Sequence, residues 1–154
     1  MSYNLKSVRI LVVDDMVPML TLTTSVLKIF GFEKVYTAND GKKAFESVCE
    51  YDPDLVITDW IMDPIDGLEL AKMIRKNPRA PNPFVPIMMM TGFSARVRVE
   101  QARDSGITEF MVKPFSANDL NKRITQIIEN PRHFIEAGEF FGPDRRRKRN
   151  NDYE

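Results

Sequence analysis

Residues 8–15 read Val8-Arg9-Ile10-Leu11-Val12-Val13-Asp14-Asp15, an almost unbroken apolar run that stops at two adjacent acids. A run this rich in β-branched residues suits a central parallel strand buried on both faces. Outward from it, apolar residues return at helical spacing from Val17 to Phe30, with Met19, Leu22, Val26 and Ile29 on one line and Leu20 and Leu27 beside it. Pro18 is tolerated in a first helical turn, and Gly31 fits just past a helix end. Glu33 to Thr37 reads as a short strand, Asn39-Asp40-Gly41 as a turn, and Lys42 to Tyr51 as a helix with Ala44, Phe45, Val48 and Cys49 inward.

The plan then repeats. Asp54 to Thr58 is a strand ending at Asp59, and Gly67 opens a helix with Leu68, Ala71 and Ile74 on one face. Pro78, Pro81 and Pro83 place a loop over residues 77–83. Phe84 to Met90 is a fourth strand ending at Thr91-Gly92, followed by a helix over residues 95–105 that Gly106 stops. Glu109 to Val112 is a fifth strand ending at Lys113-Pro114. The last helix runs from Ser116 to Glu129, capped by Ser116 or Asn118, with Leu120, Ile124, Ile127 and Ile128 inward. Five strand–helix pairs in strict alternation predict an α/β fold: a doubly wound five-stranded parallel sheet with five helices.

Composition narrows the chemistry. The chain has 154 residues, which suits one domain. Its 22 basic and 22 acidic residues balance, which argues against a generally basic nucleic-acid binder. No run of about 18 apolar residues is present, and the first residues lack a secretory cleavage site. One cysteine, Cys49, excludes an internal disulfide and a cysteine zinc cluster; one histidine, His133, excludes a multi-histidine site. A soluble intracellular protein is expected, and any metal must be held by oxygen, as Mg2+ is.

Ligands of an open parallel sheet bind beyond the carboxyl ends of the strands. Here those ends are Asp14-Asp15, Asp59, Thr91 and Lys113. The expected pocket holds three carboxylates, one hydroxyl and one ammonium. Two carboxylates about 4–5 Å apart repel by roughly 3–4 kcal/mol at an effective dielectric near 20. Three together need cations: Lys113 supplies one charge and a divalent ion the rest. Mg2+ beside a carboxylate suits phosphoryl transfer, with Asp59 as the nucleophile.

At this point the sequence resembles the response-regulator receiver domain of two-component signalling, over about residues 7–130. The resemblance rests on Asp14-Asp15, Asp59, Asp66-Gly67, Thr91-Gly92 and Lys113-Pro114-Phe115, in order and each at or after a strand end. It implies the flavodoxin-like strand order 2-1-3-4-5. It implies that Asp59 accepts a phosphoryl group from a histidine kinase or histidine phosphotransfer protein, in the cytoplasm. Mg2+ is then held by Asp14, Asp15, Asp59 and the backbone carbonyl of Ile61. Thr91 and Lys113 contact phosphoryl oxygens, Phe110 stands at the aromatic switch position, and the bond before Pro114 is cis. Output passes to a downstream protein through the face built from the fourth helix, fifth strand and last helix, which also serves homodimers in this family. Asp63 stands where the family often has proline, and Pro64 follows. Ile61 and Phe93 flank the site and are expected to hinder an attacking water.

Other readings stand beside these. Asp14 and Asp15 can cap the first helix, Thr91 can be a helix cap, and Phe110 can be plain core. Met88-Met89-Met90 reads as strand core, and Cys49 as a buried helix residue. A Mg2+-dependent phosphatase with an aspartate nucleophile is the alternative function, although Ile61 stands where that class carries a second Asp. No Gly-rich phosphate loop follows the first strand. The domain is expected over residues 1–130, with 131–154 a tail and no output domain. That tail carries Phe134, Phe140, Phe141 and the run Arg145-Arg146-Arg147-Lys148-Arg149. The run is a solvated tail or a docking element for an acidic partner or membrane surface, ahead of a nucleic-acid contact, which five charges without a folded reading element would make only salt-sensitive, and the phenylalanines can pack the tail back on the domain or on a partner.

Overall fold

The computed structural model describes residues 5–92, 106–113, 115–129, 134–137 and 140–143. After a 3-10 turn at Leu5–Ser7 the elements are β1 (Arg9–Val13), α1 (Val17–Ile29), β2 (Lys34–Ala38), α2 (Gly41–Tyr51), β3 (Leu55–Asp59), α3 (Gly67–Lys76), β4 (Ile87–Thr91) and β5 (Glu109–Val112). Then follow α4 (Ala117–Glu129), β6 (Phe134–Ala137) and β7 (Phe140–Pro143). The first five strands form one parallel sheet in the order β2-β1-β3-β4-β5. That is the expected sheet and strand order; four α-helices, not five, fall among the described residues. The helix expected over residues 95–105 lies outside the described residues.

Alternation along the strands builds two cores. Leu11, Val13, Val56, Ile87 and Met89 face α2 and α3, meeting Phe45, Val48, Leu70 and Ile74. Ile10, Val12, Leu55, Ile57, Met88, Met90 and Met111 face α1 and α4, meeting Leu27, Leu120, Ile124 and Ile127. The three methionines are strand core, as their pattern predicts; Cys49 is only half-buried.

Helix ends follow the cap residues. Asp40 accepts from Lys43 N–H and Asp66 from Glu69 N–H, which starts α2 and α3. Ser116 caps α4 reciprocally with Asp119: Ser116 Oγ accepts from Asp119 N–H at 3.1 Å, and Asp119 Oδ2 accepts from Ser116 N–H at 3.3 Å. Asn118 is not the cap.

Two further expectations need correction. α1 buries Leu20, Thr23 and Leu27, whereas Leu22 and Ile29, from the expected apolar line, are exposed, Ile29 at 81%. The fourth strand begins at Ile87, three residues late, and Phe84 is exposed. Beyond these, Arg75 of α3 is buried. Its guanidinium donates to the carbonyls of Gly106, Pro83 and Val85 at 2.6–3.0 Å and to Thr108 Oγ1 at 3.3 Å. Burial pulls its pKa down to about 9, so it stays charged at neutral pH. It ties α3 to the segments that lead into β4 and β5.

Candidate functional site

The parallel register aligns the carboxyl ends of the strands. Asp59 pairs with Met90, and Thr91 with Val112, so the ends of β3, β4 and β5 form one rim. Asp14 directly follows β1, which lies beside β3. The Lys113 amide donates to the Thr91 carbonyl at 2.7 Å, which fixes the lysine at that rim.

Asp14, Asp15 and Asp59 each place a carboxylate oxygen within 4.8 Å of the others. Asp14 is 1% exposed, Asp59 half-buried and Asp15 exposed. Lys113 Nζ lies 3.4 Å from Asp14 Oδ2 and 3.5 Å from Asp59 Oδ2. Asp14 Oδ1 accepts from Met16 N–H at 2.9 Å. Met16 is the N-cap of α1, and no side chain caps that helix. The capping reading of Asp14 and Asp15 therefore gives way to the cluster. Burial pushes the Asp59 carboxyl up; Lys113 opposes that shift and the negative charge of Asp14 reinforces it.

Three carboxylates against one ammonium leave a surplus of two negative charges. The donors are all oxygen, and one edge of the cluster, at Asp15, is open to water. This set fits a hard divalent cation that keeps part of its hydration shell. Asp14, Asp15 and Asp59 are the side chains that would hold it.

The loop after β3 is shaped by close approach. Gly67 N–H donates to the Trp60 carbonyl at 2.8 Å, and a Cβ on Gly67 would run into the Asp59 carbonyl. That packing explains the Asp66-Gly67 pair: the aspartate caps α3 and the glycine lets the helix start against the site. The Asp63–Pro64 peptide within this loop is cis, which was not anticipated. Ile61 is exposed beside the site. Phe93 and Pro114 lie outside the described residues, and with them the expected cis bond at Pro114.

Sequence reading passed over Trp60. It is buried; its N–H donates to Asp59 Oδ1 at 2.8 Å, and its ring meets Phe110 edge-on, centroids 6.2 Å apart. The signal was available, since the chain's single tryptophan directly follows Asp59. Phe110 is half-buried against the α2–α3 core. Thr91 is buried at the end of β4. On α4, Arg123 donates to the Phe110 carbonyl at 3.1 Å and pairs with buried Glu109 at 3.3 Å.

The response regulator receiver domain family matches residues 10–125. Chemotaxis protein CheY-3 of Vibrio cholerae is 32% identical over 124 residues, covering 80% of this chain and 94% of the relative. Chemotaxis protein CheY of Pseudomonas aeruginosa is 31% identical over 121 residues, covering 79% and 96%. Among solved structures, Vibrio cholerae chemotaxis protein CheY4 superposes with a TM-score of 0.72 at 28% identity, covering 78% of this chain and 98% of that one. A response regulator from Desulfuromonas acetoxidans gives 0.70 at 28%, covering 79% and 97%. No helix among the described residues is long and apolar enough to cross a membrane. With its sheet order, its acidic cluster and this match over most of its length, the chain belongs to the response regulator receiver family of two-component signalling.

Proposed function

We propose that the protein is a response regulator of the cytoplasm whose receiver domain accepts a phosphoryl group on Asp59 and signals through protein contacts. The carrying observation is the position of the Asp59 carboxylate, clustered with Asp14 and Asp15 and 3.5 Å from the Lys113 ammonium. The donor is a phosphohistidine on a histidine kinase or phosphotransfer protein. An Asp59 oxygen attacks phosphorus, the new O–P bond forms as the P–N bond breaks, and the electron pair stays with the imidazole, which takes up a proton.

Asp14, Asp15, Asp59 and the Ile61 carbonyl would hold Mg2+. When bound, that ion supplies neutralisation of the charge on the phosphoryl oxygens. Lys113 pairs with one phosphoryl oxygen and gives up part of its hold on Asp14 and Asp59. The Thr91 hydroxyl donates to another. Thr91 sits on β4 beside β5, so its movement bears on Phe110 and on the Glu109–Arg123 pair of the neighbouring α4. A local charge then biases a two-state surface that a downstream protein reads. Ile61, exposed beside the site, shields the acyl phosphate from water. The chain catalyses its own phosphorylation and turns over no external metabolite.

The test is phosphotransfer from labelled histidine kinases and phosphotransfer proteins of the source organism. At least one donor should pass label to the parent chain and none to Asp59→Asn. Label that reaches Asp59→Asn equally well contradicts the reading.

A further inference from the structure

Met19, Leu22, Val26 and Ile29 follow one another along α1 at steps of three, four and three residues, so they share one side of the helix. The helix turns a neighbouring line, Leu20, Thr23 and Leu27, into the domain. The first line is therefore left toward the surface, and unevenly so. Ile29 is 81% exposed and Leu22 53%, whereas Met19 and Val26 are half-buried. Along α1 the four side chains thus alternate: recessed, protruding, recessed, protruding.

A second α1 laid antiparallel, with the midpoint at residue 24, sets position 19 against 29 and 22 against 26. Each layer then joins a protruding side chain to a recessed one: Ile29 to Met19, and Leu22 to Val26. A parallel pair would set Ile29 on Ile29 and Leu22 on Leu22, protrusion against protrusion. The charges also favour a second copy. Lys28 is the one charged residue of α1, and in the antiparallel pair its two copies lie about 12 Å apart along the axis, beyond the screening length at 0.1 M salt. The chain's 22 basic and 22 acidic residues balance, so two copies carry no net repulsion. Nucleic acid or anionic lipid would find a single cation on this helix.

We propose that α1 is the interface of an antiparallel, two-fold homodimer in which Met19, Leu22, Val26 and Ile29 of the two copies interdigitate. The interface needs no residue of the acidic cluster and is independent of the phosphoryl reading. Four side chains from each copy fall far short of the roughly 20–30 residues a side of a standard interface, so the dimer is weak, with a dissociation constant on the order of 100 µM.

Sedimentation equilibrium of the full chain from about 10 µM to about 1 mM tests it, and the parent should pass from monomer to dimer across that range. Ile29→Lys and Met19→Glu each place an unpaired charge in both outer layers and weaken association at least about tenfold. Each should melt at the parent temperature in dilute solution, since the new charge suits its own end of the helix dipole. The Met19→Glu, Ile29→Lys double variant sets each carboxylate against the ammonium of the other copy and returns association to within about threefold of the parent. A parent that stays monomeric at about 1 mM overturns the proposal, whatever other helix this face then takes. So does a dimer that Ile29→Lys leaves intact. A double variant as weak as the single ones, the result expected of a parallel pair, overturns it too.

Discussion

Trp60 meets Phe110 edge-on, their ring planes at 82°, while the Trp60 amide donates to Asp59 Oδ1. The residue next to Asp59 therefore touches the aromatic residue of β5. Under the proposed function, a phosphoryl group on Asp59 would alter the hydrogen-bond acceptor of the Trp60 amide, next to the ring that meets Phe110. An edge-to-face pair adds about 1 kcal/mol to its burial. We expect Phe110→Ala to destabilise the domain by about 2 kcal/mol, below the cost of a fully buried phenylalanine because Phe110 is half-exposed. Chemical denaturation followed by the emission of Trp60 measures both the loss and the changed surroundings of the indole.

The raised pKa of Asp59 makes a statement about stability. A carboxyl whose folded pKa lies above its unfolded value binds more protons in the folded state between the two. Stability therefore falls as pH rises through that window, and the cost is complete above the folded pKa. Asp59→Asn removes the cost. In metal-free buffer the variant should melt above the parent at neutral pH, and the gap should close once the pH falls well below about 4, the unfolded carboxylate value. Thermal melts across that range decide it; a parent that melts above the variant at neutral pH refutes the electrostatic account of the cluster.

A divalent cation that binds only the folded cluster must stabilise it by mass action. At a hundredfold excess over its dissociation constant the gain is about 2.7 kcal/mol, or roughly 5–10 °C for a chain of this size. Asp14→Asn, which removes a buried oxygen donor, should lose most of that shift. Melting with Mg2+ and with a chelator gives the comparison.

Arg75 predicts a purely structural loss. Arg75→Ala leaves the buried carbonyls of Gly106 and Val85, and the part-buried carbonyl of Pro83, without this donor. The expected cost is about 3–5 kcal/mol in denaturant titration. Arg75→Lys should recover less than half, because an ammonium lacks the planar fork that reaches two segments at once.

Sheet and acidic cluster were legible because each is written locally: an apolar run, then a polar residue at its end; the strand order came with the family resemblance. The buried face of α1 was not. The helix is apolar on more than one side, and its inward line includes Thr23, a polar residue that is fully buried. Arg75 was hidden for a related reason. A charged residue in the last turn of a helix reads as solvated, and the carbonyls it serves sit in loops that only the fold brings near. The Trp60–Phe110 contact depends on the register of β3, β4 and β5 across some fifty residues of chain, which periodicity does not encode. The β6–β7 ribbon is too short to give a periodic signal.

The most direct measurement is the mass of the intact protein after incubation with Mg2+ and acetyl phosphate. The account predicts one added phosphoryl group, located at Asp59, absent without Mg2+ and absent in Asp59→Asn. Steady release of phosphate from many small phosphoesters, with no adduct at Asp59, would contradict it and favour an aspartate-nucleophile phosphatase instead.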